Sequence, residues 1–318
     1  MKLIETQSKA TLTHWTVDYF ERVILTDIIE HQSIGIKLDW CFFACVQVRY
    51  STKMYEGGKI MPTFDNNGAT LFYEVMGEGL PIIFTHGASW NHLQWNEQVD
   101  YFKNQYKVIT WDVRGHGHSS LPEGPVDSET FSADLITLMN HLHIENAVLC
   151  GLSMGGHISL QTAIRYPERV KGLILIGTPC SNTFNLYEKT FVPINRIASK
   201  LIPMKISGKI QAKMLSTFNP ENYNYIMEAF SMINHDEWNR VWSAVTRMES
   251  KNDLHKVKCP TLLLIGDHDN MTNYQQPYMH KHIPNSKMKI IVNAHHGTNL
   301  DNPKAVNQAI FEFINKIN

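Results

Sequence analysis

The chain has 318 residues, 43% of them hydrophobic and 19% charged, a makeup that suits a globular core and argues against disorder. Its formal net charge is -1 and its basic residues are scattered, so it carries no electrostatic footprint for nucleic acid. Five widely spaced cysteines (Cys41, Cys45, Cys150, Cys180, Cys259) argue against a disulfide framework, and no run approaches the roughly 20 apolar residues that span a bilayer. The opening residues lack the basic-then-apolar build of a signal peptide, which makes a cytoplasmic protein the expectation.

Residues 1–60 do not match the rest of the chain. Trp15 to Ile29 has a weak helical period, and Trp40 to Val46 is a short apolar run without an obvious partner. Cys41-x-x-x-Cys45 has no second pair to complete a metal site, so both read as buried thiols. Glu56-Gly57-Gly58 is encodable by a purine-rich tract like a bacterial ribosome-binding site, just upstream of Met61. Residues 1–60 are then either a mis-assigned leader before a start at Met61 or an N-terminal extension.

From Met61 the pattern is regular. Asn66-Asn67-Gly68 between Pro62–Asp65 and Thr70–Val75 predicts a hairpin. Pro81–Thr85 is a continuous apolar run, as expected for a strand buried on both faces. Lys107–Trp111, Ala147–Cys150, Gly172–Ile176, Thr261–Ile265 and Met288–Val292 repeat it. Helical patterns lie between, at Ser128–Leu142 (Asp127 or Ser128 as cap), Met154–Tyr166 and Asp301–Ile317. This alternation predicts an α/β fold with a mostly parallel sheet covered on both faces. It breaks once, between Ile176 and Thr261, where a long helical stretch rich in aromatics and methionine predicts an inserted cap over residues 181–251. The core then comprises 61–180 and 252–318.

The chemistry centres on Gly151-Leu152-Ser153-Met154-Gly155. A strand, a Gly-x-Ser-x-Gly turn and a helix in that order make the context of a nucleophile elbow. A serine hydroxyl needs a base, and the base needs an orienting carboxylate, expected in the order serine, acid, histidine. The loop Gly266-Asp267-His268-Asp269-Asn270 offers two acids; Asp267 lies where side chains bind loop backbone, and Asp269 lies far enough out to reach across the sheet edge. The loop Asn293 to Asn299 offers His295 and His296. A metal held by this pair with Asp267 or Asp269 would need both rings turned inward, and no spaced histidine pair supports it, so no metal is expected. The oxyanion needs the N–H of Met154 and one from His86-Gly87-Ala88-Ser89-Trp90, with Ala88 the expected donor. Asp112 to Ser119 would brace that loop; it matches no phosphate-binding motif.

Together, His86-Gly87, Asp112-x-Arg114-Gly115-His116-Gly117-x-Ser119, Gly151-x-Ser153-x-Gly155-Gly156, Gly266-x-x-Asp269, and His296 before Leu300-x-x-Pro303 resemble the α/β-hydrolase superfamily. The resemblance covers Met61 to the C-terminus and is closest in kind to small esterases, enol-lactonases and cofactor-free haloperoxidase-like enzymes. It implies Asp269 as the acid and His296 as the base. Two positions depart from the family pattern: His295 stands where glycine is usual, and no proline follows the acid loop near Thr272-Asn273.

The expected protein is a Ser153–His296–Asp269 hydrolase of a small carboxylic ester or lactone that needs no cofactor. Ala88 and Met154 would hold the oxyanion, and Trp90, Phe230, Trp238 and Trp242 would line an apolar pocket. The competing readings are a C–C bond hydrolase or a lyase using the same triad, marked by extra polar cap residues, and a non-catalytic receptor or signalling partner on the same fold.

Overall fold

The computed structural model describes residues 54–56 and 59–317. The patterns at Trp15–Ile29 and Trp40–Val46, with Cys41 and Cys45, lie outside the described residues, as does most of 1–60. A short antiparallel pair, β1 (Met54–Glu56) and β2 (Lys59–Met61), precedes the main sheet.

The hairpin β3 (Thr63–Asn66) and β4 (Ala69–Met76) turns at Asn67 and Gly68, whose φ angles of 51° and 80° are the left-handed pair a two-residue turn demands. β5 (Pro81–Thr85), α1 (Asn96–Phe102), β6 (Lys107–Trp111), α2 (Thr130–His141), β7 (Ala147–Leu152), α3 (Met154–Arg165) and β8 (Val170–Ile176) come after it. Four helices come next: α4 (Leu186–Ser199), α5 (Met204–Leu215), α6 (Asn222–Ser231) and α7 (His235–Val245). The chain then returns to β9 (Thr261–Gly266), α8 (Gln275–His282), β10 (Ser286–Ile291), α9 (Thr298–Asp301) and α10 (Pro303–Ile317).

The eight strands run in the order β10-β9-β8-β7-β5-β6-β4-β3, parallel from β10 to β6 and antiparallel at the β4 edge. Because successive side chains point to opposite faces, the apolar strands feed two cores at once. Ile83, Leu149, Leu173 and Leu263 pack with α2 and α3 on one face, through Phe131, Leu135 and Ile158. Ile82, Phe84, Val148, Ile174 and Leu262 pack with α1 and α10 on the other, through Val99, Phe102, Ile310 and Phe313. Strand order reverses at β5, with β6 on one side of it and β7 on the other. That switch point opens the crevice where open α/β sheets take ligands.

Three local expectations are corrected. Neither Asp127 nor Ser128 caps α2, which starts at Thr130 from Glu129 without a side-chain cap. The C-terminal helix is two pieces, α9 and α10, broken at non-helical Asn302 just before Pro303, because a residue before proline is pushed out of helical conformation. β10 is not buried on both faces: it is the sheet's edge, and Ile290 is 57% exposed.

Candidate active site

β7 delivers Ser153 to the carboxyl edge of the sheet, at the start of α3. Ser153 has φ 53° and ψ -113°, a strained turn costing on the order of 1–3 kcal/mol. Its N–H donates to Ile176 O of the neighbouring strand at 2.9 Å, and its carbonyl starts the helix by accepting from His157 N at 2.9 Å. The turn closes because Gly155 has no side chain: a Cβ there would lie 2.1 Å from Thr85 O of β5. The serine is half-buried, and among the described residues its hydroxyl has no hydrogen bond to the His296 ring.

The loop after β9 sinks Asp269 to 2% exposure and surrounds it with donors. Oδ1 accepts from Met271 N at 2.8 Å and Thr272 N at 3.3 Å; Oδ2 accepts from Thr272 Oγ1 at 2.9 Å and faces His296 Nδ1 at 3.0 Å. Burial pushes the carboxyl up, yet the His296 ring and these donors outweigh it and hold it at about 2. An ionised carboxylate only accepts, so Nδ1 of His296 carries the proton and Nε2 is the ring's acceptor nitrogen. Asp267, by contrast, is exposed and accepts from Ala294 N at 3.0 Å, tying the two loops together. The adjacent histidines diverge: His295 packs on Phe218 at 4.5 Å between ring centroids, while His296 faces Asp269. Gly177, at φ 49° after β8, passes directly under the pair, where a Cβ would be 3.0 Å from Asp269 Oδ2.

On the other side of Ser153, the loop after β5 carries Ala88. Its N–H has no protein acceptor among the described residues, and Met154, as the first residue of α3, has no intrahelical acceptor for its own N–H. A braced network holds this loop. His86 accepts from Val113 N at 3.0 Å through Nε2, and its Nδ1–H donates to Gly87 O at 2.8 Å. Burial pushes His86 down to about 4, keeping it neutral. Asp112 accepts from His92 N at 2.7 Å, His92 Nδ1 at 2.9 Å and His118 N at 2.9 Å. Burial pushes Asp112 up, but these contacts prevail and lower it. Arg114 makes a buried bidentate pair with Asp134, which also accepts from Asn66 Nδ2 at 2.6 Å. Removing one partner of such a pair costs about 3–5 kcal/mol.

One positioning residue was invisible in the sequence. Gln94 Oε1 accepts from Gly87 N at 2.8 Å, and its Nε2 donates to Asn299 Oδ1 at 3.0 Å, three residues beyond His296. It therefore spans the loop after β5, which carries Ala88, and the loop after β10, which carries His296. A lone glutamine in a short helical turn carries no motif that would have found it.

Ser153, Met154, Ala88, Trp90, His296, Phe230, Trp238 and Trp242 all line one cavity of about 620 Å³, and Asp269 stands behind His296. The cap aromatics are also packed: Trp238 stacks on Trp242 at 5.3 Å, and Trp242 Nε1 donates to Asn195 Oδ1 at 2.9 Å. Trp90 Nε1 donates to Gln211 Oε1 of α5 at 2.7 Å. Glu188, the carboxylate among the lining residues, accepts from Tyr274 OH, from Phe184 N at 2.6 Å and from Gln275 Nε2 at 3.3 Å.

A mostly parallel sheet with a strained serine turn at its switch point, facing an Asp–His pair from later strands, defines an α/β-hydrolase. A family model described as serine aminopeptidase, S33, matches residues 81–302, and the chain belongs to this family of hydrolytic enzymes. 3-oxoadipate enol-lactonase 2 of Acinetobacter baylyi is 27% identical over 247 residues, which cover 74% of this chain and 89% of the relative. Among solved structures, a malate-bound thermophilic esterase from Thermogutta terrifontis superposes with a TM-score of 0.72 at 28% identity, covering 81% of this chain and 97% of that one. The enol-lactonase from Burkholderia xenovorans LB400 shares the fold at a TM-score of 0.74 and 23% identity, covering 80% and 100% of the two chains.

Proposed function

We propose that the protein hydrolyses a small carboxylic ester or lactone through an acyl-enzyme on Ser153. The observation that carries this reading is the 3.0 Å Asp269–His296 contact, with His296 lining the same cavity as Ser153, Ala88 and Met154. Ser153 Oγ attacks the carbonyl carbon while His296 Nε2 takes its proton; the N–H groups of Ala88 and Met154 stabilise the oxyanion. The tetrahedral intermediate collapses, and His296 returns the proton to the leaving alkoxide. Water then attacks the acyl-enzyme with His296 again as base. Asp269 keeps the proton on Nδ1 throughout.

Two observations favour an ester over the alternatives. A C–C bond hydrolase would draw on charged or polar cap groups. Among the described residues, the cap side of the cavity offers one carboxylate, Glu188, beside neutral amides and hydroxyls, with Asn182 tied to Val245 O and the amide oxygens of Asn195 and Gln211 tied to Trp242 Nε1 and Trp90 Nε1. An aminopeptidase would need a carboxylate for the substrate's ammonium, and Glu188 is engaged by three protein donors. The relatives named for enol-lactone and ester hydrolysis point the same way.

The test is Ser153→Ala assayed on short p-nitrophenyl esters and lactones. The expected loss is on the order of 10⁴-fold or more with thermal unfolding unchanged. Undiminished turnover would rule the mechanism out.

A further inference from the structure

The outer face of the helical insertion is out of character with the rest of the molecule. α4, fourteen residues long, buries none of its side chains. Leu186, Ile197 and Leu201, on α4 and the turn after it, are 80%, 64% and 78% exposed, with Ile194 beside them. On α5, Ile206, Ile210 and Met214 recur every fourth residue and are all exposed. Monomeric soluble surfaces rarely leave so many large aliphatic side chains uncovered along successive turns of a helix.

The charge on this face is one-sided. From residue 189 to residue 220 the chain has six cations (Lys189, Arg196, Lys200, Lys205, Lys209, Lys213) and no carboxylate. At about 100° per residue, α5 presents its rows in order: Ser207 and Gln211 toward the cavity, then Ile206–Ile210–Met214, then Lys205–Lys209–Lys213. The apolar ridge thus rims the active-site cavity, and the lysines flank the ridge. Beside α4 lies a second cavity of about 400 Å³ whose lining, among the described residues, includes Arg196, Lys200, Arg240 and Arg247 and no carboxylate. The three arginines are held by neutral acceptors, with Arg196 on Thr246 O, Arg240 on Pro122 O and Gly124 O, and Arg247 on Val126 O. Their positive charge is therefore oriented without being neutralised.

We propose that the face formed by α4 and α5 docks on an anionic phospholipid bilayer, with its aliphatic ridges among the acyl chains and a headgroup phosphate in the groove of Arg196, Lys200, Arg240 and Arg247. An apolar ridge flanked by cations is the pattern of helices that lie in a membrane interface. A second copy of the chain fits less well, because a two-fold contact through this face would set six cations against six. Docked this way, the cavity holding Ser153 faces the bilayer, and an ester partitioned into the membrane enters without crossing water. Docking itself does not depend on the hydrolase reading.

The test is co-sedimentation of the full chain with vesicles of phosphatidylcholine alone or mixed with phosphatidylglycerol. Binding is expected to be about tenfold or more stronger to the anionic vesicles and to weaken as salt rises. Ile206→Glu with Ile210→Glu should abolish it, and Lys200→Gln with Lys209→Gln should weaken it, with melting temperature and hydrolysis of a water-soluble ester unchanged. Ser153→Ala should bind as the parent does, which separates failure of docking from failure of catalysis. A chain that stays in the supernatant with both vesicles overturns the proposal, as does equal binding to both. Sedimentation velocity showing a dimer that the Ile206→Glu, Ile210→Glu variant dissociates would assign the face to self-association instead.

Discussion

The Asp269 carboxylate faces four donor groups and that of Asp112 three, whereas α4 runs fourteen residues without burying one side chain. The loops at the carboxyl edge of the sheet are fixed by short polar contacts between elements far apart in sequence. The helices above them make polar contacts too, Trp242 to Asn195 and Arg196 to Thr246 among them, but leave much of their surface to solvent. Bond-making needs groups placed to within fractions of an ångström, and recognition of a flexible apolar substrate does not. On this reading the edge carries the rate and the insertion carries the selectivity, and variants in the two regions should differ in kind.

The largest expected effect comes from Asp269→Asn, which keeps shape but no longer fixes the His296 tautomer. Turnover should fall about 10⁴-fold with a normal melting temperature; a loss under tenfold would remove Asp269 from the edge machinery. Acid should act on the same region. His86 is pushed down to about 4, and His116 and His157 to about 3, in each case chiefly by burial. Their folded values lie below the unfolded value of about 6.5, so the unfolded chain takes up the protons first. The stability they contribute is complete above about pH 6.5 and is lost as pH falls toward about 4, on the order of 3 kcal/mol apiece. Melting temperature measured across that window should drop steeply, and His157→Gln should flatten the drop.

Gln94→Leu should lower kcat about 10–100-fold with little change in KM, since it loosens the span between the oxyanion and base loops without touching substrate. Equal effects on both constants would make it a structural residue only. The smallest effect belongs to the insertion: Phe230→Ala should shift the preferred acyl length and change kcat/KM by about tenfold or less on the shortest esters. A collapse of kcat with every ester would erase the distinction between the two regions.

Much of the edge was legible because its constraints are local. Gly151-x-Ser153-x-Gly155 encodes a turn, and each parallel strand is an apolar run that ends where a loop must begin. The left-handed Asn67-Gly68 turn was readable for the same reason. What was not legible depends on tertiary partners. α2 begins from Glu129 without a side-chain cap, and Glu129 and Ser132 instead accept from Arg165 of α3. β10 looks like an interior strand, yet its place at the edge is decided by strand order alone. Gln94 finds Asn299 across more than two hundred residues, and Gly177 matters only because Asp269 and His296 arrive above it. The four-helix subdivision of residues 181–251 and its one-sided surface likewise depend on which faces find cover.

The most direct measurement is labelling with a fluorophosphonate, with mass spectrometry of the digested protein. A single stoichiometric adduct is expected on the peptide carrying Ser153, absent from Ser153→Ala and strongly slowed in His296→Ala. A protein that stays unlabelled, or one labelled equally well after Ser153→Ala, would contradict a nucleophilic role for this serine.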